Sequence, residues 1–192
     1  MIEFDLSEFE RKARSIGGAI DQVPFALSLA MNTAAFKVRQ RIISETWPSA
    51  VQVRNKRFIN AALRVGPSTK AKLSVSVVDV LNRAHLRSHA KGGLKQARGR
   101  LAIPSKAVVR GASGVRSSQR PGAMKRKVVK GNLIFQAEGH GKATRLRLMF
   151  KLTSSAKIKP DVPFFRDFDR YMIDEARAAF PHAMAKAMRT RR

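Results

Sequence analysis

INAALRVGPSTKAKLSVSVVDV, residues 59–80, is where the chain changes period. From Lys72 to Val80 apolar and polar residues alternate: Leu73, Val75 and Val77 fall against Ser74 and Ser76, the pattern of a strand buried on one face. Gly66-Pro67-Ser68 is a turn cluster, so INAALRV (59–65) and KLSVSVVDV (72–80) read as the two arms of a β-hairpin. The residues before this stretch are spaced by threes and fours instead. A chain that is helical, then alternating, then helical again belongs to the α+β class.

Towards the N-terminus, Asp5 or Ser7 caps a first amphipathic helix over 5–22, with Leu6, Phe9, Ala13, Ile16 and Ile20 on one face and a weak point at Gly17-Gly18. Pro24 stands where a helix can begin. From it a second helix runs through Leu27, Ala30, Met31, Ala34, Ala35, Val38, Ile42 and Ile43 and closes at Trp47-Pro48. Towards the C-terminus, 81–90 reads as a short helix stopped by Gly92-Gly93, and 98–103, 131–137 and 145–153 read as strands. Between the first two of these strands, GASGVRSSQRPGAMKRK (111–127) has no periodicity and reads as a mobile loop or arm. A last helix over 161–188, bent at Pro181, puts Phe165, Phe168, Met172 and Phe180 towards the core. The expectation is one α+β domain over 1–192, with N-terminal helices and a long C-terminal helix packed on a small antiparallel β-sheet. Its parts are a helical 1–48, a sheet over 49–154 carrying a long basic loop at 105–130, the final helix, and a basic tail at 189–192.

Charge is the strongest compositional signal. The chain has 192 residues, 44% of them apolar, and a net charge of +26. Between Glu45 and Glu138 there is one acid, Asp79, against twenty Lys and Arg residues. Like charge at this density calls for an anionic counter-surface. The residues placed there as contacts to a partner or to phosphate are Lys91, Lys95, Arg98, Arg100, Lys106, Arg110, Arg116, Arg120, Lys125, Arg126, Lys127 and Lys130. The absence of cysteine excludes disulfides and thiolate metal sites. The apolar runs are too short to span a membrane, and the acidic start MIEFDLSEFE does not read as a signal peptide.

Enzyme templates find no purchase. His85 and His89 lie four apart but lack a third ligand and the HExxH glutamate. Asp167, Asp169 and Asp174 are interleaved with Arg166 and Arg170, the pattern of ion pairs on a helix surface. No phosphate-binding loop or nucleophile elbow is present, and the basic region supplies only Asp79 where a nuclease needs clustered carboxylates. No catalytic, metal or cofactor site is therefore expected. Residues 81–130 also contain no Phe, Tyr or Trp, so there is charge for phosphate but no platform on which bases stack.

The order of short elements adds a further reading. VRNKRFINAALRV (53–65) precedes the hairpin, HAKGG (89–93), RLAIPSKAVVRG (100–111) and RPGAM (120–124). LMFKLTSSAKIKPDVPFF (148–165) and FPHAMAKAM (180–188) follow. This layout resembles the minor tail protein Z and tail-completion proteins of long-tailed bacteriophages, and related phage virion proteins with an LAIP element. The resemblance implies a structural virion protein rather than an enzyme, made in the bacterial cytoplasm and built into the head-proximal end of the tail. It implies a homo-oligomeric ring at the neck, around the DNA channel, with tail-terminator, connector or portal rings as partners. It also implies non-specific contact with packaged DNA, and neither cofactor nor membrane. Charge alone supports the alternative, a non-specific nucleic-acid-binding protein of ribosomal or nucleoid-like type.

Overall fold

The computed structural model describes residues 22–82 and 86–190, together with Arg11 and Ser15. The first helix expected over 5–22, His85 and the last two arginines lie outside the described residues. The fold is α+β. Expected as one domain, the chain divides into two compact units: the first is formed by 1–86 with 161–192, the second by 87–160.

In the first unit, α1 (Val23–Arg41) begins with Pro24 in its first turn, where a missing N–H costs no hydrogen bond. Its buried face is rich in alanine: Ala26, Ala30, Ala34 and Ala35 alternate with Leu27, Met31 and Val38. That face meets α5 (Phe164–Arg189). Val23 to Ala30 share a core with Phe180 to Ala187, and Ala34 to Ile42 share one with Tyr171 to Ala176, so the two helices run antiparallel. The helix expected to end at Trp47-Pro48 instead continues through a π-helical turn, Ile42–Thr46, into α2 (Trp47–Ala50). The Trp47 N–H reaches back five residues to the Ile42 carbonyl. The widened turn offers room for the Pro48 ring, which in a tight helix collides with the preceding turn.

The hairpin forms, but its first arm is shorter than expected. Residues 56–62 are helical, α3 (Lys56–Ala62), capped by the Asn55 side chain, which accepts a 3.0 Å bond from the Arg57 N–H. Ile59 and Ala62 are buried at helical spacing. The pairing is confined to β1 (Leu63–Gly66) and β2 (Ser76–Asp79), in register Leu63 to Asp79 and Gly66 to Ser76. The helices pack on this small two-stranded sheet, with Leu63 in the core and Val65, Val75 and Val77 against it. The connecting loop is clasped to α1. The Ser68 carbonyl accepts from Ser28 Oγ (3.1 Å) and Asn32 Nδ2 (2.9 Å), and its N–H donates to Asn32 Oδ1 (2.7 Å).

The second unit starts with the end of α4 (Leu86–Lys91), stopped as expected at Gly92, whose φ of +68° is the left-handed cap that glycine tolerates. A Cβ there would stand 2.8 Å from the Ile158 carbonyl oxygen. The sheet joins β3 (Gly93–Pro104), β8 (Arg145–Ile158), β7 (Leu133–Glu138) and β6 (Lys127–Lys130) in the order β3-β8-β7-β6, all antiparallel. One face carries its own core: Ile134, Met149 and Phe150, closed over by Val108 and Met124.

Within α5 the buried positions are Asp167, Tyr171, Met172, Ala176, Phe180, Ala183, Met184 and Ala187. Met172 and Phe180 are core residues as expected, and Phe168 is half-buried against that core. Phe165 is not: it is 57% exposed, and its neighbour Phe164 turns inward to stack on Trp47 at 6.1 Å. The helix continues unbroken through Pro181. Asp167 also departs from the surface ion pair expected of it. It is buried, accepting from Thr46 Oγ1 at 2.8 Å while Arg166 pairs with its other oxygen at 3.0 Å. Beside it, Glu45 accepts from Arg41 (3.1 Å) and from the Tyr171 hydroxyl (3.1 Å), and Glu175 pairs with Lys37 (3.0 Å).

Two outcomes follow for the first unit. Phe180→Ala should cost about 3–5 kcal/mol in denaturant unfolding, while Phe165→Ala should change stability by no more than about 0.5 kcal/mol; equal losses would displace Phe180 from the core. The second concerns pH. Hydrogen bonds from Arg41 and then Tyr171 hold Glu45 below its ordinary carboxylate range. A depressed folded value stabilises fully above the unfolded value, about 4.3, and that contribution is lost as pH falls through the folded one. The melting temperature of Glu45→Gln should lie below that of the natural protein at pH 7, and the gap should close under strong acid.

Candidate functional site

The chain's charge is sorted by unit. Residues 87–160 hold nineteen Lys and Arg against a single acid, Glu138, a net +18 of the chain's +26. Even that carboxylate is engaged, 3.2 Å from Arg147 on β8. All twelve cations singled out in the sequence fall in this unit. Seven more join them: Arg87, Lys142, Arg145, Arg147, Lys151, Lys157 and Lys159. The later ones follow the apparent end of the basic region, and only the topology brings β8 alongside β3 and returns it to the same body.

The twelve divide by what they touch. Arg110 donates to the Pro104 carbonyl, Arg120 to Val115, Arg126 to Gly139 and Lys127 to Pro121. Arg100 donates to the Asn132 side chain at 3.2 Å. Lys91 and Lys95 also have partners. The side chains of Arg98, Lys106, Arg116, Lys125 and Lys130 make no hydrogen bond or ion pair among the described residues, and all five residues are exposed. Of the twelve, these five are directly available to an external anion, and Arg87, Arg145, Lys151, Lys157 and Lys159 are likewise exposed with no side-chain bond among the described residues.

The chain around them is held more firmly than its composition suggests. Residues 111–127, read as a mobile arm, form a small hairpin, β4 (Arg110–Gly111) with β5 (Gly114–Val115), then a 3₁₀ turn at Ser117–Gln119. Val108 and Met124, one near each end, are buried against Ile134, Met149 and Phe150. The loop closes on itself where the Val109 N–H donates to Gln119 Oε1 at 2.7 Å. Ser105 fixes its start, with N–H to the Met149 carbonyl (2.8 Å) and Oγ to the Leu148 carbonyl (2.7 Å), beside the register shift in β8. A second irregularity presents charge. Pairing of β3 with β8 is regular to Gln96–Ser155 and resumes at Leu101–Thr153, so Ala97 to Arg100 bulge opposite Ser154 alone and carry Arg98 and Arg100 outward.

The unit contains two aromatic residues, Phe135, which is half-buried, and Phe150, which is buried. Its surface can therefore attract polyanions electrostatically but supplies no row of rings for bases. Among the described residues no three histidine or carboxylate side chains converge on a metal-sized site, and no helix is long and apolar enough to cross a membrane. The chain matches no family model, curated protein or solved structure.

If Met124 is the clasp of the basic loop, Met124→Ser should free it. Limited trypsin digestion should then cut the variant after Arg116 or Lys125 at least several-fold faster than the natural protein, with cleavage within 23–50 unchanged. Equal rates at the loop would show that the loop is not held through Met124.

Proposed function

We propose that the chain is a structural protein of a bacteriophage virion that completes the head-proximal end of the tail and joins it to the head. It would act as a homo-oligomeric neck ring around the DNA channel. The order of short elements, from VRNKRFINAALRV to FPHAMAKAM, supports the tail-completion reading. The observation that carries the mechanism is the separation of charge: one compact unit of net +18 whose loop is latched by some of its own cations while others, Arg98, Lys106, Arg116, Lys125 and Lys130 among them, have no side-chain partner among the described residues. Such a surface gains little from its own fold and is suited to a second, negative one. In a neck that surface is an adjoining acidic ring or the phosphate of packaged DNA. Assembly is the favoured use, because the cations surround a pre-shaped loop and no aromatic row accompanies them.

The same separation of charge favours a second reading, a free-standing non-specific nucleic-acid-binding protein. The two readings part on one triple variant, Arg98→Ala with Lys106→Ala and Lys125→Ala, whose side chains make no bond among the described residues. If the cations dock a protein ring, the variant should stop purified tails joining heads and leave duplex affinity almost unchanged. If they meet phosphate, log affinity should fall with log salt at about 0.9 per phosphate neutralised, and the variant should flatten that slope by up to about three. Normal head–tail joining by the variant would remove these cations from assembly. A preference for one DNA sequence would contradict both readings.

A further inference from the structure

The four-stranded sheet has a second apolar face, opposite the one that Val108 and Met124 cover. Residues directly paired across strands share a face. Phe135 pairs with Leu148 on one side and Val128 on the other, and Leu133 pairs with Lys151, which pairs with Ile103. Leu146 continues the row opposite Ala137. None of these side chains belongs to any of the three cores, and Ile103, Leu146 and Leu148 are each about two-fifths exposed. Two lysines stand on the same face, Lys151 between Leu133 and Ile103, and Lys130 opposite Leu133. The face is therefore apolar with cations set into it, and no carboxylate shares it.

The sequence contains a segment of complementary character. MIEFDLSEFE, residues 1–10, has four carboxylates and no Lys or Arg, and is the most acidic ten-residue window of the chain. Ile2, Phe4 and Leu6 alternate in it with Glu3 and Asp5. It lies outside the described residues, and eleven residues separate it from Gln22.

We infer that this sheet face receives the acidic segment 1–10 of a neighbouring copy. The inference rests on the ring reading and supplies the contact that such a ring requires. Copies of net charge +26 repel one another, so association needs a site where opposite charge and apolar surface coincide. A segment on one copy and a sheet face on the next are different surfaces, and a contact between different surfaces repeats head to tail, which is how rings close. The apolar side chains of 1–10 meet Phe135, Leu146 and Leu148, while its carboxylates meet Lys130 and Lys151.

The chain has no cysteine, so disulfide trapping in the full-length protein is clean. Phe4→Cys with Leu148→Cys, oxidised mildly, should give a ladder of linked dimers and larger species. The yield should be at least tenfold above Phe4→Cys paired with the exposed Phe165→Cys. A linked monomer instead would mean that the segment folds back on its own sheet, and no excess over the control would mean that it docks elsewhere; either result overturns the inference. Glu3→Lys with Asp5→Lys provides a second arm that does not depend on refolding a cysteine variant. In sedimentation it should weaken self-association at least tenfold. If the natural protein and this variant associate equally, the docking inference fails and the ring reading stands. If the natural protein is monomeric at every concentration, the ring reading fails and the inference with it.

Discussion

The seam between α1 and α5 is the contact on which the first unit depends. Ala26, Ala30, Ala34 and Ala35 on one helix and Ala176, Ala183 and Ala187 on the other are almost fully enclosed. Small residues bring the helix axes close, and Met31, Met172, Phe180 and Met184 fill what remains. The seam ties residues 23–42 to 171–187, so all the chain between must leave and return. It does so at two points held in one core, Leu86 and Val162, 5% and 2% exposed. Where the seam meets the π-helical turn, Thr46 holds the buried Asp167, and Glu45 gathers Arg41 and Tyr171. A buried carboxylate is tolerated there because both of its oxygens are engaged.

The second unit meets a different constraint, to stay compact while carrying nineteen cations and one acid. Carboxylates do little of the neutralising. Instead Arg110, Arg120, Arg126 and Lys127 donate to backbone carbonyls of the loop and its flanks. A charged donor on a carbonyl is a stronger bond than a neutral one, and it satisfies oxygens that an irregular loop would otherwise leave to water. The arginines that make the loop basic are thus among the groups that shape it, and composition alone cannot separate them from the ones that face outward.

Local signals made much of the fold legible and failed where the deciding contact was distant. Pro24 marked the start of α1, Gly92 the stop of α4, and the alternation of Leu73, Val75 and Val77 the hairpin. Asn55 was a readable cap, with Ile59 and Ala62 three apart behind it, yet the run 59–65 read as a strand because Leu63 and Val65 continue into one. Pro48 read as a stop, since nothing local announces that a π turn will make room for it. Phe164 and Phe165 both suit a helix face that includes Phe168, and Trp47, more than a hundred residues away, decides between them. Val108 and Met124 are isolated apolar residues in a Gly, Ser and Arg background, so their anchoring of the loop had no period to reveal it. Of the candidate site, the cations and their grouping were legible as a sum. Which of them are spent on the loop was not, because that depends on carbonyls placed by the tertiary fold.

The strands of the sheet carry a pattern that bears on its environment. Leu133, Ile134 and Phe135 are consecutive, as are Leu148, Met149 and Phe150, and strands buried on both faces read this way rather than in strict alternation. The loop accounts for one face and leaves the other half-open. A bare apolar sheet face invites indiscriminate stacking, and edge strands invite pairing. Here the edge strand β6 begins and ends with lysine, and Lys130 and Lys151 stand within the open face itself. Two such faces brought together would bury like charges against one another, which costs several kcal/mol. A partner that brings carboxylates among apolar side chains meets no such penalty and neutralises the lysines as it covers the face. The positive charge that makes this unit unusual is therefore also what narrows its choice of partner, excluding its own copy face to face and admitting an acidic one.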